Sequence, residues 1–223
     1  MQHYFVTGTD TGVGKTFTTC ALLHHARQRG LVAVGYKPVA AGAEPHGEDL
    51  ANEDALALQA AGSSGFALSE INPFCLRAAV APHIAAAEEG VSLDIGTMHH
   101  GYQRLAARAD LVLVEGAGGF CVPLDDTHDT ADLARALALP VLMVVGMRLG
   151  CINHALLTAE AIAARGLKLA GWYANSPQAD MPRLAENLQA LRQRLPAPLL
   201  GVVPHLSQGP AAATTQVQLP GGL

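Results

Sequence analysis

A lysine and a threonine close a glycine-spaced run near the start of the chain: Gly8-Thr9-Asp10-Thr11-Gly12-Val13-Gly14-Lys15-Thr16. Glycines let backbone N–H groups turn inward around phosphate oxygens, and the start of a helix adds positive partial charge. In such a loop Lys15 reaches the terminal phosphates of a nucleotide and the Thr16 hydroxyl ligates Mg²⁺. The usual spacing leaves four residues between the first glycine and Gly-Lys. Here Gly8 and Gly14 are five apart in that sense, and a strict match would need glycine at Thr9. The competing reading is a Gly-rich turn with an incidental lysine. A strand-like run before the loop and a helical pattern after it favour the phosphate loop.

Magnesium needs carboxylates nearby. Leu111-Val112-Leu113-Val114-Glu115 is an apolar strand ending in an acid, followed by Gly116-Ala117-Gly118-Gly119. That is the arrangement of a second nucleotide motif, with Glu in place of the usual Asp. The alternative is a solvated strand-end glutamate. Asp54, in Asn52-Glu53-Asp54-Ala55-Leu56, reads on composition alone as a helix-surface acid. Lys37 follows a strand in Tyr36-Lys37-Pro38-Val39, so it either points into the site or sits on a surface loop. The pairs His24-His25 and His99-His100 are adjacent. Helical neighbours face about 100° apart, so neither pair suits one metal, and both are expected at the surface. Cys20, Cys75, Cys121 and Cys151 are widely spaced with no CxxC, which excludes ribbon-type zinc and thioredoxin-like chemistry and predicts four small buried side chains.

The elements that must carry these residues alternate. Strands are expected at Tyr4–Thr7, Val32–Tyr36, Leu111–Val114, Val141–Val145, Leu169–Tyr173 and Leu199–Val203. Helices are expected at Thr16–Arg29, Asp49–Ala61, Leu93–Arg108, Thr130–Ala138, Cys151–Arg165 and Pro182–Arg194. Unbroken apolar strands alternating with helices predict an α/β fold, a mostly parallel central sheet with helices on both faces. Ligands then sit beyond the carboxyl ends of the strands, where the unusual residues lie. No internal repeat or linker stands out, so one domain is expected over 1–223. Ser63–Gly90 fits no simple pattern, and the tail from Ser207 to Leu223, with few apolar anchors, is expected to be loose.

Composition narrows the function. Half of the 223 residues are hydrophobic, which excludes wholesale disorder. Charged residues are 15%, against about 25% in an average domain, so the core is large or a partner covers some surface. A net charge of −5 without a basic run argues against nucleic-acid binding. No apolar run approaches the ~18 residues of a membrane helix. The N-terminus lacks signal features, so a cytoplasmic protein is expected.

Taken together, GTDTGVGKT, YKPVAAG, NEDALALQ, NPF…APHIAA, LVLVEGAGGF, PVLMVVGMRLGCINHALLT, GWYAN and GVVP resemble the dethiobiotin synthetase family over nearly the whole chain. The five-residue loop spacing is that family's own, and RLGCINHALLT has no counterpart in generic phosphate-loop proteins. The resemblance implies a P-loop NTPase fold, a homodimer with active sites at the interface, and a cyclo-ligase. The implied reaction joins 7,8-diaminopelargonate and CO₂ with ATP and Mg²⁺, giving dethiobiotin, ADP and phosphate.

Residue by residue, the resemblance implies catalytic roles for Thr11, Lys15 and Lys37, and raises Asp54 to a magnesium ligand beside Thr16 and Glu115. It implies nucleotide contacts from Gly12, Val13, Gly14, Lys15, Thr16, Phe17, Asp54, Glu115, Gly116, Ala117 and Gly118. Asn175 and Ser176 would meet the adenine edge, and Pro204, His205 and Leu206 the base and ribose. Substrate contacts would come from Lys37, Ala41, Gly150, Cys151 and Asn153, the last three holding the substrate carboxylate from the other subunit. Two positions depart from the pattern. Ala41 stands where a hydroxyl residue is frequent, and Gly12 replaces a glutamate of some members. Two rivals remain. A cobyrinate-type amidoligase would need a glutaminase domain for which 223 residues leave no room. A partition-type or iron-protein-type switch ATPase places a second lysine where this chain has Asp10.

Overall fold

The computed structural model describes residues 2–47 and 49–221. In chain order the elements are β1 (Gln2–Gly8), α1 (Lys15–Gln28), β2 (Ala33–Tyr36), β3 (Val39–Ala41), β4 (Glu44–His46), β5 (Asp49–Ala51), α2 (Glu53–Ala61), α3 (Leu68–Ile71), β6 (Phe74–Leu76), α4 (Pro82–Glu89), α5 (Ile95–Ala106), β7 (Leu111–Glu115), α6 (Thr130–Leu137), β8 (Val141–Gly146), α7 (Cys151–Ala164), β9 (Leu169–Asn175), α8 (Leu184–Arg194) and β10 (Leu199–Val203).

Six strands form one parallel sheet in the order β10-β9-β8-β1-β7-β2. Parallel strands need crossovers, which cover both faces and explain the unbroken apolar runs. The period of two sorts the side chains. On β8, Leu142 and Val144 join the larger core, while Met143 and Val145 join a second cluster with Trp172, Ala155 and Leu191. β1 is central, with β7 and β2 on one side and β8 on the other. The segments after β1, β2 and β7 therefore open along one carboxyl edge, the expected ligand side of such a sheet.

The expected elements form, with instructive differences. The helix expected over Asp49–Ala61 starts only at Glu53, because the Asn52 side chain accepts from Asp54 N and caps it there. Residues 49–51 instead pair antiparallel with 44–46. The unclassified stretch 63–90 supplies α3, β6 and α4, and β6 pairs with β3 in a small parallel sheet. The tail is not loose across its described residues. A short 3₁₀ helix, Pro210–Ala213, packs against α1. Val217 bridges to Gly201, Tyr173 Oη donates to Gln218 O at 2.9 Å, and Leu219 is buried.

His25 is likewise buried rather than at the surface, with Nδ1 at 2.8 Å from Thr214 O. The same nitrogen lies 3.2 Å from Arg29 Nη1. Among the cysteines Cys20 and Cys151 are buried, Cys75 is half-buried and Cys121 is exposed, which corrects the expectation of four buried thiols. Among the described residues no helix is long and apolar enough to cross a membrane.

Candidate active site

The loop between β1 and α1 is shaped by two left-handed glycines. Gly12 has φ +71° and open space around it, so its backbone rather than its surroundings disfavours a side chain. Gly14 has φ +85°, and a Cβ there would lie 2.1 Å from Asn175 Nδ2. Asn175 donates to Val13 O at 2.8 Å and so underpins the loop from the end of β9. Thr9, the residue that breaks the usual glycine spacing, is used: Gly146 N donates to its hydroxyl at 3.4 Å, and its own N–H bonds Val144 O at 3.0 Å. α1 has no side-chain cap and no acid in its first turn. Its opening N–H groups suit an anionic ligand.

Below the loop lies a charged cluster. Thr16 Oγ1 is 2.7 Å from Asp54 Oδ1 and 2.8 Å from Glu115 Oε1. Lys37 Nζ donates to Asp54 Oδ2 and Glu115 Oε1, each at 2.8 Å. Lys37 and Glu115 are buried, at 3% and 0% exposure, so each needs the other's charge. Burial opposes the Lys37 ammonium, but Glu115 and Asp54 outweigh it and hold its pKa above the ordinary value. Burial likewise opposes the Asp54 carboxylate, and Lys37 and Thr16 more than offset it, so its pKa is lowered. Lys15, bonded to Asp10 O at 3.3 Å, is pushed down by burial and then by the Lys37 charge.

One atom is left over. Glu115 Oε2 is buried and has no hydrogen-bond partner among the described residues. A hydroxyl and two carboxylates, one of them with an oxygen left unbonded, are hard oxygen donors of the kind that could hold Mg²⁺.

Thr16, Lys37 and Asp54 of the cluster line a cavity of about 980 Å³, while Glu115, fully buried, lies outside its lining. Of the residues expected at the site, Thr11, Gly12, Gly14, Lys15, Thr16, Lys37, Ala41, Asp54, Ala117 and Gly118 line it. Thr11 is exposed and Ala41 half-buried, while Phe17 packs half-buried against the core. Val13 is buried under the loop, and Gly116 turns the chain after Glu115 with its N–H on Val6 O at 3.0 Å.

Asn175, Ser176, Pro204, His205 and Leu206 do not line that cavity. They gather at the ends of β9 and β10, where Asn175 pairs with Val203 and Ser176 N bonds Val203 O at 2.9 Å. His205 Nδ1 is 3.1 Å from Pro177 O.

Gly150, Cys151 and Asn153 also lie outside the cavity lining, at the start of α7. Cys151 is buried, Asn153 is exposed, and Leu149 just before them is 99% exposed. Cys151 N is already bonded to Arg148 O at 3.0 Å, so that N–H is not free for a carboxylate. Arg148 pairs with Asp10 of the phosphate loop.

Sequence reasoning missed two asparagines that hold this site. Asn72 Nδ2 donates to Lys37 O at 2.7 Å and to Phe74 O at 3.1 Å. Asn52 caps α2 and also reaches Ala41 O at 3.1 Å. Asn followed by two acids and an apolar run is a cap signal that could have found Asn52. Nothing local marks Asn72.

Comparison with known proteins adds the remaining facts. A family model described as an AAA domain matches residues 2–212. A protein of Aromatoleum aromaticum named ATP-dependent dethiobiotin synthetase BioD is 59% identical over 221 residues, covering 99% of this chain and 98% of its own. The protein of that name in a Pseudomonas aeruginosa strain is 52% identical over 221 residues, covering 98% and 97%. Among solved structures, the cell division ATPase MinD of Pyrococcus furiosus superposes with a TM-score of 0.59 at 17% identity, covering 92% of this chain and 84% of its own. That likeness shows the P-loop NTPase fold.

Proposed function

Since this chain belongs to the ATP-dependent dethiobiotin synthetase family, a family of ATP-using ligases in biotin biosynthesis, we propose that it closes the ureido ring of dethiobiotin from 7,8-diaminopelargonate, CO₂ and ATP. One amine adds to CO₂ and loses a proton, giving a carbamate. A carbamate oxygen takes the γ-phosphoryl group of ATP and ADP leaves. The neighbouring amine attacks the carbonyl carbon of this mixed anhydride, phosphate departs with the C–O bond, and the ring is closed.

The carbamate, the γ-phosphoryl group and the mixed anhydride are all anionic, so the residues must supply positive charge where it builds. Lys15 and the opening N–H groups of α1 face the phosphates. Lys37 faces the carbamate side of the cavity, with Thr11 on the rim. Thr16, Asp54 and Glu115 would hold Mg²⁺, which when bound neutralises phosphate charge. Lys37, whose ammonium now balances both carboxylates, would share that balance with a bound cation and have charge to offer the substrate. Asn175 already spends Nδ2 on Val13 O, and its remaining Oδ1 has the polarity to accept from the adenine amino group. Ser176 and Pro204–Leu206 would border the base and ribose. Ala41 offers a methyl where relatives of the family pattern offer a hydroxyl, so the substrate gains one hydrogen bond fewer there.

We further propose a homodimer in which Asn153 and the start of α7 bind the distal carboxylate of the partner's substrate. Two exposed leucines, Leu149 beside that helix end and Leu157 within α7, support burial by a second copy. The observation that carries the catalytic reading is Lys37 bonded to both acids at the cavity floor. A switch ATPase would use a lysine at position 10. Asp10 instead pairs with Arg148 and accepts from Thr11 N at 2.7 Å. The test is phosphate release with diamine and bicarbonate added separately and together, with the product identified by mass. Release that needs both, and a ring product, is expected; equal release without the diamine overturns the reading in favour of a switch.

A further inference from the structure

Between Ala41 and Asn52, which both line the cavity, β4 and β5 pair away from it, and one side chain closes the neck of that excursion. Asn52 is buried at 6% exposure. Its Oδ1 accepts from Asp54 N at 3.0 Å. Its Nδ2 donates to Ala41 O at 3.1 Å and to Gly42 O at 3.4 Å. Asp54 belongs to the charged cluster, and Ala41 ends the strand that begins just after Lys37. Gly42, at φ +81°, is a natural pivot at the tethered point.

Capping α2 does not require this amide. Asp and Ser cap a helix about as well, but neither offers a carboxamide donor. Asparagine is the residue that caps with its oxygen and still has N–H groups to tie a second segment. The start of α2 and the end of β3 are thereby joined through one buried group, and a displacement of Asp54 is passed to Ala41.

We propose that Asn52 is a positioning residue that couples the nucleotide half of the site to the substrate strand. Filling the Asp54 side with Mg²⁺ and nucleotide fixes α2, which through Asn52 orders Ala41–Gly42 and tightens the diamine site. By linkage the diamine tightens nucleotide binding by the same factor. The choice of diamine rests on the function proposed above; the coupling itself rests on the three hydrogen bonds.

Two variants of the full chain separate the cap from the tether. Asn52→Asp keeps the cap acceptor and the size but turns an oxygen toward two carbonyls. Asn52→Ser is neutral, keeps the cap and is too short to tie the strand. Diaminopelargonate affinity is measured by calorimetry with and without Mg²⁺ plus a non-hydrolysable ATP analogue. The wild type is expected to gain at least about 5-fold from the analogue and both variants less than about 2-fold, against a usual coupling range that starts near 5-fold.

Hydrogen exchange of the amides at 39–43 is followed in the same proteins. The analogue is expected to slow it in the wild type and to leave it unchanged in the variants, while a thermal shift on adding the analogue shows that each variant is folded and binds nucleotide. Wild-type coupling and protection in both variants, or neither in the wild type, overturns the proposal. Protection in the wild type without any diamine binding leaves the coupling standing and removes the proposed substrate instead.

Discussion

The charged cluster under the phosphate loop and the helix start at Gly150–Asn153 are both expected to bind anionic groups, and they are built in opposite ways. In the first, Thr16 of α1, Lys37 just after β2, Asp54 of α2 and Glu115 of β7 complete one another within a single chain. In the second, Asn153 and Leu149 face outward, and none of Gly150, Cys151 and Asn153 lines the cavity. Charges that must be buried need their partners fixed in advance, because an unpaired buried ion costs several kcal/mol. A carboxylate at the far end of a long substrate can be met at a solvent-facing helix end, which a second subunit can bring to it.

The largest effect should come from breaking the closed region. Lys15→Ala and Lys37→Ala should each lower kcat by about 10²–10³-fold, the usual cost of removing one positioned transition-state donor. Steady-state rates at saturating substrate check this, and near-wild-type turnover in Lys37→Ala would take it out of the catalytic set. The same variant should also be less stable, because Glu115 at 0% exposure loses its cation. A loss of about 3–5 kcal/mol is expected without Mg²⁺, by analogy with broken buried pairs. Urea unfolding measures it, and added Mg²⁺ should recover part of it.

A smaller effect isolates the metal. Asp54→Asn keeps the cap of α2 and removes one charge, so the Mg²⁺ concentration for half-maximal rate should rise while kcat at high Mg²⁺ falls less. An unchanged concentration would return Asp54 to a helix acid. The open region should answer differently. Asn153→Ala should raise KM for the diamine, with stability changed by less than about 0.5 kcal/mol, as for exposed substitutions generally.

Those contrasts also track what could be read from the chain. Lys15, Thr16 and Glu115 were legible because a strand end, a glycine spacing and a helix start are local patterns. Lys37 was legible as a strand-end lysine with an open alternative. Asp54 was not legible from its neighbours, since its partners are Thr16, Lys37 and Glu115, reached only through tertiary structure. The family resemblance supplied it. The antiparallel pairing at 44–51 was hidden because Leu50 and Ala51 extend the apolar spacing of α2, and one side-chain cap decides where the helix begins. The tail looked loose for want of large apolar residues. It is held instead by a backbone bond from Gln218 N to Leu200 O and by burial of Val217 and Leu219. His25 was misplaced for a similar reason, its partner being a tail carbonyl far along the chain.

The contrast between a closed reacting end and an open carboxylate end is tested most directly by subunit mixing. Lys37→Ala and Asn153→Ala proteins are purified separately and assayed at subsaturating diamine, where each has low activity, then mixed under conditions where subunit exchange is verified with distinguishable tags. If Asn153 serves the partner's substrate, a mixed dimer holds one site with both lesions and one with neither. Activity should then rise to about a quarter of wild type in an equal mixture of a two-fold dimer. Verified exchange with activity no higher than that of the parents would contradict a carboxylate site supplied across the interface.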